Sequence, residues 1–165
     1  MTEVSLAEVP GALGPAFEAG DPLAAGRTRE RRHLGVMGEI VGAIAAGEYD
    51  ELRELLCPDV TLEITVPPSV PWVRHAAGVD EVIAAVRHNF ATLRDQRPTP
   101  LALAAQGDTV MVMARETGTW TANDEPYEAM LSQQWTFRDE KLALMRSVAA
   151  FTRPESRERE RPAAA

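Results

Sequence analysis

From Leu34 the apolar residues Val36, Met37, Ile40, Val41 and Ile44 recur at three- and four-residue spacing, which predicts an amphipathic helix running to about Ala46, where Gly47 ends it. Tyr49, Leu52, Leu55 and Leu56 repeat the pattern over a shorter second helix that Pro58 stops. Thr61 to Val66 then alternates, with Leu62, Ile64 and Val66 on one face and Thr61, Glu63 and Thr65 on the other, the signature of a half-buried strand. Pro67, Pro68 and Pro71 follow and imply a loop across the mouth or flank of a sheet. Asp80 can cap a third helix with Val82, Ile83, Val86, Phe90 and Leu93 in one stripe. Four strands complete the pattern at Leu101 to Ala105, Val110 to Trp120, Met130 to Phe137 and Leu142 to Phe151, joined by turn-rich segments.

The order ααβαββββ has no internal repeat and describes an α+β fold: a curved, mostly antiparallel sheet with three helices on its concave side. A curled sheet closed by helices leaves a conical pocket for a small apolar molecule. Residues 1–32 carry Pro10, Gly11, Gly14, Pro15, Gly20, Pro22 and Gly26, so this arm reads as irregular apart from a short helix around Ala12 to Ala19. Residues 153–165 mix charges of both signs and read as a solvated tail. The folded domain is therefore expected over 33–152.

Composition narrows the partners. With 45% apolar and 25% charged residues, the 165-residue chain can build one core. A net charge of −8 and the lack of a basic, aromatic-interleaved cluster argue against nucleic acid. Cys57 is the single cysteine, which excludes an internal disulfide and points to a reducing, cytoplasmic setting. No run of 18 apolar residues suggests a membrane span, and the acidic N-terminus is unlike a signal peptide. Three scattered histidines give no metal spacing and no phosphate loop follows a strand, so the expectation is no metal and no cofactor.

The segments Pro58 to Ile64, Pro71 to Val86, Gly118 to Ala129 and Gln133 to Ser147 resemble the SnoaL-like branch of the nuclear-transport-factor-2-like superfamily, in the family's order and spacing. The resemblance implies a cone-shaped α+β barrel domain, commonly a homodimer through the outer face of the sheet, and activities such as polyketide cyclisation, ketosteroid isomerisation or epoxide hydrolysis. It also marks departures. Where an isomerase of this kind places a tyrosine, a general-base aspartate and an acidic donor, this chain has Ile40, Ile64 and Gln133. An epoxide hydrolase's Arg-x-Asp and second aspartate correspond to Arg115-Glu116-Thr117 and Ala150.

Strand alternation nominates what remains. Leu131, Gln133, Trp135 and Phe137 share one face, and Glu116, Gly118 and Trp120 share another, which makes Glu116 the lone inward acid; a one-residue bulge would exchange it for Arg115. A carboxylate in an apolar cavity suits general acid or base work. Gln133 can hold a ligand oxygen, and His75, in the loop before the third helix, can overhang the entrance. Glu116, His75 and Gln133 are thus the expected catalytic residues; Trp72, Trp120, Trp135, Tyr49, Ile64 and Ser147 are expected to line the pocket. The function expected is a cofactor-independent enzyme on a hydrophobic, natural-product-like substrate, with a non-catalytic binding protein as the alternative.

Overall fold

The computed structural model describes residues 22–152. Helices α1 (Pro22–Ala46) and α2 (Tyr49–Glu54) come first, then β1 (Leu56–Thr65), β2 (His75–Ala77), α3 (Val79–Ala91), β3 (Leu93–Gln106), β4 (Thr109–Trp120), β5 (Pro126–Arg138) and β6 (Lys141–Thr152). The six strands form one sheet in the order β2-β1-β6-β5-β4-β3. Every neighbouring pair is antiparallel except β1 with β6. The sheet is open, with β2 and β3 as edges, and is the mostly antiparallel cone expected, not closed into a barrel, with the helices over its hollow. The short helix expected around Ala12 to Ala19 and the tail 153–165 lie outside the described residues.

Helix α1 starts at Pro22, twelve residues before the apolar stripe that predicted it at Leu34. Around Glu30 to His33 it is held by polar contacts. Glu30 Oε1 accepts the Gly107 N–H at 3.0 Å, His33 Nδ1 donates to the Gly107 carbonyl at 3.1 Å, and Arg32 reaches Glu140 at 2.7 Å. The helix thus grips the tips of the β3–β4 and β5–β6 hairpins, and the buried His33 ring stacks on Phe137 at 4.8 Å. At the other end Gly47, at φ 72°, closes the helix: its N–H bonds the Ile44 carbonyl and the Glu48 N–H bonds that of Ala43, so the last carbonyls are satisfied.

Three other boundaries move for identifiable reasons. Pro58 lies inside β1, at the irregularity between Leu56 and Thr61 where no ladder bond is asked of it. Pro98 and Pro100 lie inside β3 because β3 is an edge strand with register shifts on both sides. The N-cap of α3 is Gly78, at φ 84°, and Asp80 pairs with Arg53 at 2.7 Å instead of capping.

The main core forms where the helices meet the sheet. Met37, Ile40 and Ala43 from α1, Leu52 from α2 and Val82, Ile83 and Val86 from α3 pack on Val60, Leu62, Val110, Trp135, Phe137 and Leu142. Burying such side chains stabilises a fold by roughly 1.5–3 kcal/mol each, so this end anchors the molecule.

Candidate site on the concave face

The strand registers lay out the concave face row by row. Ile64 on β1 lies opposite Ser147 on β6, Ser147 opposite Gln133 on β5, and Gln133 opposite Val112 on β4. Moving away from the main core, the next rows hold Ala149, Leu131 and Ala114, then Phe151, Ala129 and Glu116, and last Tyr127 beside Gly118. Ile64, Val112, Leu131, Gln133 and Glu116 face inward yet are only half-buried, so this part of the face is partly accessible. Ile64 packs against both the main core and a smaller cluster of Val66, Val70 and Ala149.

The far end is aromatic. Trp120 lies 5.2 Å from Tyr127 and 5.0 Å from Phe151, and Trp72 meets Phe151 edge-on at 5.4 Å. Trp72 belongs to the segment between β1 and β2, which straps this end to α3. Its indole N–H donates to Thr92 Oγ1 at 2.9 Å, and the buried Asn89 amide bonds both the N–H and the carbonyl of Val73, at 2.8 and 3.1 Å. Two hydrogen bonds from one side chain to one residue make the strap a fixed wall.

Glu116 stands at this aromatic end, inward as alternation predicts; Arg115 is outside, near Glu128. The Tyr127 phenol donates to Glu116 Oε1 at 2.6 Å, with Gln96 Nε2 at 3.5 Å from the same oxygen. Tyr127 is 2% exposed, and its phenol is held far above its ordinary pKa, first by burial and then by the hydrogen bond and charge of Glu116, with Gln96 opposing weakly. Gly118 makes the arrangement possible: a Cβ there would sit 2.7 Å from the Tyr127 hydroxyl and 2.8 Å from its ring. The sequence did not single out Tyr127 or Gln96, and marked Gly118 only as a residue of the inward face. Tyr127 and Gly118 lie in the Gly118 to Ala129 segment that carries the family resemblance, so the segment pointed at them but the pairing needs the β4–β5 register.

The expected residues divide. Gln133, Ser147 and Ile64 form one row, Glu116 and Trp120 belong to the aromatic end, and Trp72 lies in the strap above it. Gln133 and Glu116 are not adjacent: Glu116 pairs with Ala129, four residues along β5 from Gln133, a backbone separation of about 13 Å. Trp135 is 4% exposed, a core residue whose indole N–H donates to Gln133 Oε1 at 3.2 Å. Tyr49 packs beside the core under the Arg87 guanidinium, 4.5 Å from its ring centre, at the helix end and away from this row. His75 corrects the loop expectation. It lies on strand β2, opposite Glu63 and exposed, while its neighbour Ala76 points into the core. Alternation therefore turns His75 to the outer face, where Arg146 at 2.6 Å, and more weakly His75, hold the Glu63 carboxyl below its usual range.

A separate groove of about 510 Å³ opens between α1 and α2, rimmed by Glu39, Glu48, Glu51 and Glu54 over Ala43 and Leu55. A hydrogen bond and repulsion from Glu48 push the Glu51 carboxyl up. The outer face of the sheet exposes Met111, Met113, Met130 and Val148. No helix among the described residues is long and apolar enough to cross a membrane.

An open, mostly antiparallel sheet with three helices over its hollow is the nuclear-transport-factor-2-like fold. The SnoaL-like domain model matches residues 38–145, and the chain belongs to that family. No curated protein matches the chain. Among solved structures, an NTF2-like protein from Burkholderia xenovorans LB400 superposes with a TM-score of 0.63 at 18% identity, covering 73% of this chain and 91% of its own. A proposed SnoaL-like polyketide cyclase from Jannaschia sp. CCS1 gives 0.64 at 16%, covering 81% and 91%. An LEH-like epoxide hydrolase from M. tuberculosis gives 0.58 at 12%, covering 73% and 84%. At such identities the likeness speaks for the fold.

Proposed function

We propose that this protein is a cofactor-independent enzyme that binds a hydrophobic, natural-product-like molecule on the concave face and moves a proton with Glu116, in a cyclisation, isomerisation or epoxide opening. The observation that supports it is the seat of Glu116. One carboxylate oxygen is occupied by the Tyr127 phenol at 2.6 Å, which fixes the rotamer, and the other can face a ligand. In an isomerisation the carboxylate takes a proton from one carbon and returns it to another, so no cofactor is consumed. Trp120 and Phe151 supply an apolar wall that excludes water, and the strap with Trp72 closes that end. Names among the structural neighbours, a proposed polyketide cyclase and an LEH-like epoxide hydrolase, lie in the same range of chemistry. We further propose a homodimer in which a second copy covers Met111, Met113, Met130 and Val148, four exposed apolar side chains on the outer face.

A second reading, a small-molecule-binding protein without turnover, is favoured by the distance between Glu116 and Gln133 and by the outward His75, which take both expected oxyanion holders away from Glu116. The two are separated by screening polyketide and terpenoid extracts against wild type and Glu116→Gln, following tryptophan quenching and analysing products by mass spectrometry. The enzyme reading expects turnover that the variant loses while its quenching persists. Quenching without turnover in either protein overturns it in favour of binding.

A further inference from the structure

Gln133 stands where an amide could present either end, and an amide's orientation is decided by its hydrogen-bond partners. Here the partner is Trp135, whose indole carries a donor and no acceptor. Its Nε1 lies 3.2 Å from Gln133 Oε1. The oxygen must therefore face the indole, because the reverse orientation would oppose two donors. Trp135 is itself locked, 4% exposed among Val110, Phe137 and the helices. The Gln133 NH₂ group is then the end turned from the indole, on the inward face whose row Ser147 continues across the β5–β6 pair and Ile64 beyond it. Val112 in the same row, Leu131 in the next and Ile64 past Ser147 make the neighbouring inward positions apolar.

We infer that Trp135 is a positioning residue that fixes the Gln133 amide as a hydrogen-bond donor, so that the concave face selects apolar molecules carrying an acceptor oxygen, of the ketone, ester or ether kind, at this row. The inference rests on the reading that the concave face takes a small molecule, and it holds whether or not Glu116 catalyses turnover. A donor in a hydrocarbon setting rewards an acceptor and leaves the amide unpaired when the ligand has none, and that asymmetry generates the selectivity. Because Glu116 lies about 13 Å of strand away, a ligand seated on both groups is elongated, with its oxygen at the Gln133 end.

The test uses two shape-matched probes, 2-acetylnaphthalene and 2-isopropenylnaphthalene, which differ only in a carbonyl oxygen against a methylene. Calorimetric titration of the full chain is expected to show the ketone bound about tenfold more tightly, the factor one hydrogen bond supplies. In Trp135→Phe the preference falls to about threefold or less while the hydrocarbon's affinity is kept, because the amide is free to turn. Gln133→Leu, which takes the acceptor from the Trp135 indole but keeps every core side chain in place, abolishes the preference and serves if Trp135→Phe does not fold. Equal binding of the two probes by wild type, or a preference that survives Gln133→Leu, overturns the inference while leaving the concave site standing. Failure of both probes to bind overturns the concave-site reading itself, and the inference with it.

Discussion

The two ends of the concave face are built from different materials. Under the helices the side chains are mostly aliphatic and enclosed, with Ile40 and Leu52 at 1% exposure and Val60 and Val110 at 0% beside the buried Trp135 and Phe137. At the strap end the lining is aromatic and partly open, and it holds an acid, a phenol and an amide within bonding distance of one another. Aliphatic burial stabilises without regard to direction, whereas the hydrogen-bonded end stores orientation. The molecule thus separates an end held by burial from an end held by directed hydrogen bonds.

The division can be broken by substitution, and the largest effect belongs to the helix end. Ile40→Ala is expected to cost roughly 2–5 kcal/mol in urea unfolding, since it opens a cavity between α1 and the sheet. Gly118→Ala comes next, at roughly 1–3 kcal/mol, because the new methyl must displace the rigid, buried Tyr127 ring. Its fluorescence should also shift, since Trp120 rests on that ring.

Tyr127→Phe is smaller, about 1–2 kcal/mol for a hydrogen bond to a half-buried carboxylate, and it carries a pH signature. The fold raises the Tyr127 pKa, so the native state keeps a proton that the unfolded chain releases near pH 10. This contribution is complete below that pH and is lost as pH rises above it. Unfolding measured from pH 9 to 11 should show wild type losing stability faster than Tyr127→Phe; parallel curves would mean that the phenol is not enclosed. The smallest effect is expected from His75→Ala, within about 0.5 kcal/mol in stability and without change in probe binding, because the ring faces away from the hollow. A binding defect there would erase the distinction between the faces.

What the sequence could disclose follows from how each part is held. Helices α2 and α3 and strands β4 to β6 bury apolar stripes, so periodicity finds them, and the same alternation placed Glu116 and Gln133 on the inner face. The start of α1 has no such stripe, since Glu30, Arg32 and His33 bind backbone and side chains of distant hairpins. Strand β3 is hidden by Pro98 and Pro100, which only an edge position permits. His75 was misplaced because three residues of β2 are too few to alternate visibly. The bond from Tyr127 to Glu116 joins residues of different strands, and no local pattern encodes that register. Trp135 and Gln133 are two apart on one strand, so their contact was within reach of alternation alone.

Where the ligand sits is measured most directly by nuclear magnetic resonance, titrating 2-acetylnaphthalene into protein labelled at the tryptophan indoles and methionine methyls. Binding at the Gln133 row of the concave face predicts that the Trp135 indole signal moves while the Met111 and Met113 methyls of the outer face stay in place. Movement of those methyls with unmoved indoles would contradict it, and would put the apolar site on the outside of the sheet.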